Sequence, residues 1–255
     1  MSGLFDLSDD VAVVTGAGRG IGEGIANTLA EAGAAVVCAA RRGDEVEAVA
    51  AGIRARGGRA IALATDVTDN DAVEALAQKA ISEFGHLDIW INNAGGSPIQ
   101  TPLTELDAKE WDATMRLNLT AIWVCTNTAA RLMRDGGRIV NISSRAAVST
   151  VMGSGHYAAA KAGVNSLTVT YAKELGPRGI RCNLVAAGPI KTMAAKSIPG
   201  FQKFEDIWDD RAPLGWDVSD LIPVAKTVLA LMSDWFPATT GEVIHVDGGF
   251  HAMGA

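Results

Sequence analysis

Short runs of apolar residues alternate along the chain with longer stretches in which apolar positions recur at helical spacing. Val11–Thr15 (VAVVT), Ala35–Ala40 (AVVCAA), Ala60–Val67 (AIALATDV), Leu87–Ala94 (LDIWINNA), Gly137–Ser143 (GRIVNIS), Ile180–Ala186 (IRCNLVA) and Glu242–Val246 (EVIHV) read as strands. Between them, helical patterns cover Ile21–Ala32, Asp44–Arg56, Asn70–Phe84 (capped by Thr68), Asp107–Arg134 (broken near Asn118), Ser154–Leu175 and Leu221–Met232. Thr192–Trp216 shows no clean period. Strands that are apolar throughout belong to a parallel sheet covered on both faces. Joined by right-handed helical crossovers, they predict an α/β, doubly wound, Rossmann-type domain with a seven-stranded parallel sheet. No linker or change of composition interrupts the pattern, so residues 1–255 read as a single domain.

Composition narrows the class. A chain of 255 residues, 48% hydrophobic, buries enough surface to fold without disulfide or metal staples. A net charge of −7 leaves no basic surplus to neutralise phosphates, which argues against a nucleic-acid or anionic-membrane partner. Cys38, Cys125 and Cys182 lie far apart and form no CxxC motif, and their sparse, odd number fits a reducing cytoplasm. They read as core residues. The histidines lack ligand spacing, so no metal is expected. The acidic start MSGLFDLSDD has no signal-peptide core, and no apolar run reaches the roughly 18 residues of a membrane span. A cytoplasmic protein acting on a small molecule is the expectation.

The first strand leads into Thr15-Gly16-Ala17-Gly18-Arg19-Gly20-Ile21-Gly22 and then a helix. Glycines let the backbone turn sharply and approach a pyrophosphate, and the helix start aims N–H groups at an anion. The spacing is G-x-x-x-G-x-G. At the end of the second strand an acidic residue would bind a ribose hydroxyl. Ala40 stands there, followed by Arg41 and Arg42. With nothing acidic evident to repel a 2′-phosphate, Arg41, helped by Arg19, selects NADP(H) over NAD(H). The alternative is that Arg41 and Arg42 are solvated surface charges.

Tyr157 and Lys161 in HYAAAKAG share one helix face. A free tyrosine titrates near ~10, and an adjacent ammonium is expected to lower that by roughly 1–3 units. The pair then serves as acid to a carbonyl or base to an alcohol. Ser144 follows the fifth strand, at the carboxyl edge where α/β ligands bind. His156 reads more readily as a packing residue than as a site residue. Asp88 reads as a strand-edge residue, and Trp208 and Trp216 read equally as substrate contacts or lid anchors.

Taken together, TGAGRGIG at 15–22, NNAG at 92–95, Asn118 in RLNLT, Ser144 in NISS and YAAAK at 157–161 resemble the short-chain dehydrogenase/reductase (SDR) family over nearly the whole chain. The resemblance implies a proton donor or acceptor at Tyr157, with Lys161 lowering its pKa and holding the nicotinamide ribose. It implies that Ser144 orients the carbonyl and that Asn118 holds a relay water. Ser143 is one residue too close to the tyrosine for the serine role. It further implies that Asp66 and Val67 meet adenine, that Asn93, Ala94 and Gly95 line the cofactor floor, and that Gly188, Pro189, Ile190 and Thr192 meet the carboxamide. Alanine at 187 replaces the family's usual proline. From about Arg181 onward the chain is similar to actinobacterial enoyl-acyl-carrier-protein reductases, whose tyrosine and lysine are spaced more widely. The Y-x-x-x-K spacing here implies carbonyl reduction, most readily of a 3-oxoacyl thioester. A hydroxysteroid or other secondary-alcohol dehydrogenase is the alternative; an enoyl reductase and a non-catalytic sensor rank lower. A lid over about 191–216, carrying Met193, Ile198, Phe201, Phe204 and Ile207, and a homotetramer are implied as well.

Overall fold

Seven parallel strands form one sheet in the order β3-β2-β1-β4-β5-β6-β7. They are β1 (Val11–Thr15), β2 (Ala35–Ala40), β3 (Arg59–Ala64), β4 (Ile89–Asn92), β5 (Arg138–Ser144), β6 (Arg181–Ala187) and β7 (Val243–Val246). The computed structural model describes residues 5–96, 100–149, 153–190, 208 and 211–253. The helices are α1 (Gly20–Glu31), α2 (Gly43–Ala55), α3 (Asn70–Phe84), α4 (Ala108–Met115), α5 (Ala121–Leu132), α6 (Gly155–Leu175) and α7 (Ile222–Met232). Successive side chains on a strand point to opposite faces. Ala12, Val14, Val36 and Cys38 pack with Ile25 and Leu29 of α1 and Val228 and Leu231 of α7. Val11, Val13, Ala35 and Val37 pack with Leu76 of α3, Cys125 of α5 and Tyr171 of α6. All three cysteines are buried, and burial pushes their thiols up to about 12, so they are inert core residues as expected. Among the described residues no helix is long and apolar enough to cross a membrane.

Two local features differ from the sequence expectation. The third strand ends at Ala64, because Thr68 turns back on Asp66 with its backbone N–H (2.9 Å) and its hydroxyl (2.8 Å) both donating to one carboxylate oxygen. Such local side-chain bonds compete with strand pairing. With Thr68 so occupied, Asp69 caps α3, accepting from the N–H groups of Asp71 (2.9 Å) and Ala72 (3.3 Å). The break expected near Asn118 is a π-helical turn, Arg116–Thr120, between α4 and α5. There the Asn118 amide reaches back to the Thr114 carbonyl at 3.0 Å.

The strand order reverses between β1 and β4, and that is where ligands bind in doubly wound sheets. Thr15 ties the two strand ends together. Its hydroxyl donates to Ile91 O (3.0 Å) and accepts from the N–H groups of Asn93 (3.0 Å) and Ala94 (3.1 Å). Asn93 returns its amide to the carbonyls of Thr15 (2.9 Å) and Gly16 (3.2 Å). A second buried network runs from Trp90 through Asn92 to Thr126 of α5 and to Asn141 of β5, and on to Thr168 of α6. It locks both helices behind the site onto the sheet. Asp88, at the opposite edge, accepts from Val11 N–H (2.8 Å) and pairs with Arg134 (2.5 Å), so it is a structural clamp remote from the site.

Replacing Thr15 by the isosteric valine leaves buried N–H groups without an acceptor, and each such group costs about 1–3 kcal/mol. Thr15→Val is expected to lower the unfolding free energy by about 2 kcal/mol in urea titration. An unchanged midpoint would show that the knot does not hold the strand ends together.

Candidate active site

The carboxyl ends of the strands open into a cleft of about 790 Å³. At one end, β1 passes through the glycine turn into α1. Gly16 (φ +66°) and Gly20 (φ +59°) adopt left-handed backbone conformations that favour glycine. A Cβ on Gly22 would lie 2.2 Å from the Gly16 carbonyl oxygen, so only glycine lets the helix pack this close. Helix α1 begins without a side-chain cap at Arg19, and its first N–H groups face the cleft wall formed by Gly16, Gly18, Arg19 and Ile21.

Arg41 and Arg42 line the same end. The sequence expectation that nothing acidic lies nearby is corrected here, because the first turn of α2 brings Glu45 into the cleft beside Gly18. Arg42 pairs with that carboxylate at 2.7 Å. Arg41 has no ion-pair partner among the described residues. Asp66 and Val67 line the cleft next to them, since Thr65 N–H donates to Ala40 O at 2.9 Å, and the Thr68 bonds, assisted by the charge of Arg41, hold the Asp66 carboxyl below its usual range.

Asn93, Ala94 and Gly95 form the middle of the cleft, directly after the Thr15 knot. A Cβ on Gly95 would sit 2.8 Å from Asn118 Oδ1. Asn118 clasps the next residue in both directions: its amide nitrogen donates to Gly96 O (2.9 Å), and its oxygen accepts from Gly96 N–H (2.9 Å). The π turn thus fastens the cofactor-floor loop to the helix pair.

At the other end, Ser144, the last residue of β5, meets Tyr157 and Lys161 from α6. Ser144 Oγ accepts from Ala146 N–H at 3.2 Å, and its hydroxyl stands near enough to Tyr157 to favour the phenolate. Ser143 points away and donates to Asn165 Oδ1 at 3.0 Å. Lys161 is buried, and its ammonium donates to the Ile142 carbonyl at 2.7 Å and lies 5.7 Å from the Tyr157 ring centroid. The expected lowering of the tyrosine is reversed in the protein alone. Burial pushes the Tyr157 phenol up to about 12, and the nearby Ser144 hydroxyl only partly offsets that; burial lowers Lys161 to about 8. Desolvation disfavours both charged forms and outweighs their attraction at this separation.

His156 is fully buried, does not line the cleft, and neither ring nitrogen finds a partner among the described residues. Gly188, Pro189 and Ile190 line the cleft beside Ser144. Trp216 anchors this segment by donating its indole N–H to Pro189 O at 2.8 Å, while Trp208 faces the cleft and stacks on Phe250 at 4.0 Å. Thr192 and the apolar residues Met193, Ile198, Phe201, Phe204 and Ile207 lie outside the described residues. Glu45 and Arg145, which also line the cleft, went unrecognised in the sequence; only their neighbours Arg42 and Ser144 could have pointed to them. His245, Asp247 and His251, which have no ligand spacing in sequence, gather their ligand atoms within 4.8 Å. The two imidazoles stack at 3.9 Å, so their in-plane lone pairs run side by side rather than converging.

An uncapped helix start over glycines that no side chain can replace, continued by a floor loop to a tyrosine–lysine–serine cluster, fits a bound nicotinamide dinucleotide. A family profile described as enoyl-(acyl carrier protein) reductase matches residues 16–251. The chain is 39% identical over 252 residues to the cis-4-hydroxycyclohexanecarboxylate dehydrogenase of Sinomonas cyclohexanicum, covering 97% of this chain and 98% of that one. It is 38% identical over 249 residues to a 3-oxoacyl-[acyl-carrier-protein] reductase of Synechocystis, covering 95% and 97%. Its fold superposes with a TM-score of 0.90 on a solved 7α-hydroxysteroid dehydrogenase complexed with NADH and 7-oxo glycochenodeoxycholic acid, at 32% identity and covering 96% of each chain. The chain belongs to the short-chain dehydrogenase/reductase family and is an oxidoreductase acting on CH–OH groups.

Proposed function

We propose that the protein interconverts a ketone and a secondary alcohol with NADP(H), Tyr157 handling the proton. The observation that carries this reading is that Ser144, Tyr157 and Lys161 line one cleft, with the buried Lys161 ammonium 5.7 Å from the tyrosine ring centroid. When bound, the nicotinamide dinucleotide supplies or accepts the hydride. Ser144 and Tyr157 hold the substrate oxygen between two hydroxyls. As a ketone is reduced, Tyr157 gives its proton to the developing alkoxide, and the adjacent Lys161 ammonium stabilises the phenolate left behind. In the reverse direction the phenolate takes the alcohol proton. Ser143 is engaged with Asn165, which supports Ser144 as the substrate-orienting hydroxyl. The Asn118 amide is occupied by Gly96 and Thr114, so Asn118 would hold a relay water through its main chain.

Arg41 supports NADP(H). It has no ion-pair partner among the described residues and lies near Asp66, while Arg42 neutralises Glu45. A charge-assisted bond to a 2′-phosphate is worth roughly 10–100-fold in affinity. Relatives named for 3-oxoacyl reduction support a 3-oxoacyl thioester as substrate. The second reading is a ring ketone, supported by the hydroxycyclohexanecarboxylate and hydroxysteroid dehydrogenases. A homotetramer is part of the proposal. Trp123 is 49% exposed and Val169 57% exposed, on the outward faces of α5 and α6, which together offer an apolar surface to a second copy.

Three outcomes test these points. Tyr157→Phe should abolish NADPH oxidation on a panel of acetoacetyl thioester, a cyclic ketone and a steroid ketone while NADPH still binds; near-native turnover would sink the proton role. Crotonyl thioester belongs on the same panel, since its reduction by the native protein would mean enoyl chemistry. Arg41→Ala should weaken NADPH binding by about 10–100-fold and NADH far less, read by fluorescence titration. Equal losses would remove the cofactor argument. Trp123→Glu should shift sedimentation velocity from an oligomer to a smaller species, and a native protein that sediments as a monomer would refute the assembly.

A further inference from the structure

Arg145 directly follows Ser144 and lines the reactive end of the cleft. Its main chain is fixed by a single turn of 3-10 helix, in which its carbonyl accepts from Val148 N–H (3.0 Å) and from the Ser149 hydroxyl (3.1 Å). Its guanidinium lies over the Phe250 ring, 4.4 Å from the centroid, and 5.8 Å from that of Trp208. Two stacked aromatic rings therefore hold a planar cation against the cleft wall.

Among the described residues no carboxylate lies within ion-pair distance of this cation. The nearest acidic influence is Asp247, whose carboxylate already accepts from Gly249 N–H (3.0 Å), His251 N–H (3.0 Å) and the His251 ring (2.9 Å). Arg211, also over Phe250 at 5.6 Å, adds a like charge. Partial burial bears on Arg145 in the direction that disfavours its charge. A guanidinium held on aromatic faces, partly desolvated and with no carboxylate in ion-pair distance among the described residues is arranged to receive an anion, for which its planar fork is suited.

We propose that Arg145 is a specificity-determining residue that binds a carboxylate of the substrate, so that the preferred ketone–alcohol pair carries an acid group close to the reacting carbon. The inference rests on the ketone–alcohol reading above and narrows it. Arg145 and Trp208 line the same cleft as Ser144 and Tyr157, which puts the anion on the substrate within the reach of that cleft. That favours a ring or short-chain oxo acid over an acyl thioester, whose phosphate stands at the far end of a pantetheine arm. The same anion-binding chemistry would serve a phosphate of the cofactor, and the test separates these sources.

Calorimetric titration of the NADP⁺-loaded protein with cyclohexanecarboxylate and with the neutral, near-isosteric cyclohexanecarboxamide reads the preference without turnover. The native protein is expected to bind the acid about 10–100-fold more tightly than the amide. Arg145→Gln should bring the two together, and Arg145→Lys should retain part of the preference. Because each variant is compared with itself across two ligands, a general loss of stability does not mimic the effect. Equal affinities in the native protein, or a preference that survives in Arg145→Gln, would overturn the proposal. So would a variant that loses NADP⁺ affinity while showing no change in acid preference, since the anion would then belong to the cofactor. Turnover of 4-oxocyclohexanecarboxylate and its methyl ester is measured alongside. Absence of turnover on both and on the acetoacetyl thioester, cyclic ketone and steroid ketone panel, with the calorimetric preference intact, refutes the ketone–alcohol reading and leaves the anion site standing.

Discussion

The Thr15 hydroxyl is the point on which the cleft depends. It joins the carboxyl ends of β1 and β4 where the strand order reverses, donating once and accepting twice. Two adjacent parallel strands whose connections leave in opposite directions must splay at their ends, which opens a crevice but also leaves backbone groups unpaired. A single small hydroxyl with both donor and acceptor capacity satisfies them without filling the crevice. Asn93 closes the same knot from the other side, onto the Thr15 and Gly16 carbonyls. Gly22 must then be glycine, since its Cβ would collide with both the Gly16 carbonyl and the Asn93 amide.

From that knot, order passes along the cleft by contact rather than by chain connectivity. Asn93 and Ala94 lead to Gly95 and Gly96, Gly96 is clasped by Asn118, and Asn118 sits in a π turn. Such turns occur mostly as single interruptions of α-helices at functional sites. Here the interruption lets one helix side chain satisfy both polar groups of a loop residue. Behind it, the Asn92–Asn141–Thr168 network ties β4 and β5 to α6 through the core. The helix that carries Tyr157 and Lys161 is thereby held against the strand that carries Ser144.

The reacting groups occupy an environment that works against their charges. Tyr157 and Lys161 share a helix face, yet the ammonium is directed to the Ile142 carbonyl rather than to the phenol. Burial raises one and lowers the other, so in the protein alone the neutral forms are favoured relative to water. A site so poised responds strongly to any charge that enters it, because a low local dielectric magnifies each new interaction. At the same end, Arg145 shows the complementary condition: a cation held by aromatic faces with no acid in ion-pair distance among the described residues.

Much of this was legible in the residues. All seven strands, the helices between them and the break at Asn118 followed from apolar periodicity, because strands buried on both faces cannot tolerate polar interruptions. Their ends shifted by one to three residues where side chains compete with the backbone, as at Thr68 and Asp69. Spacing placed Tyr157 and Lys161 on one helix face, and the glycine turn marked the cofactor end. Glu45 in the cleft, the occupied amide of Asn118, the aromatic seat of Arg145 and the direction of the Tyr157 shift were not legible. Those depend on which distant segments remove water from a group and which atoms replace it. Periodicity and local spacing are properties of the chain, so the sequence by itself determined the elements, their order and the residues able to do chemistry. Desolvation and partner choice are properties of the packed molecule, so only the tertiary structure decided the electrostatic state in which those residues meet.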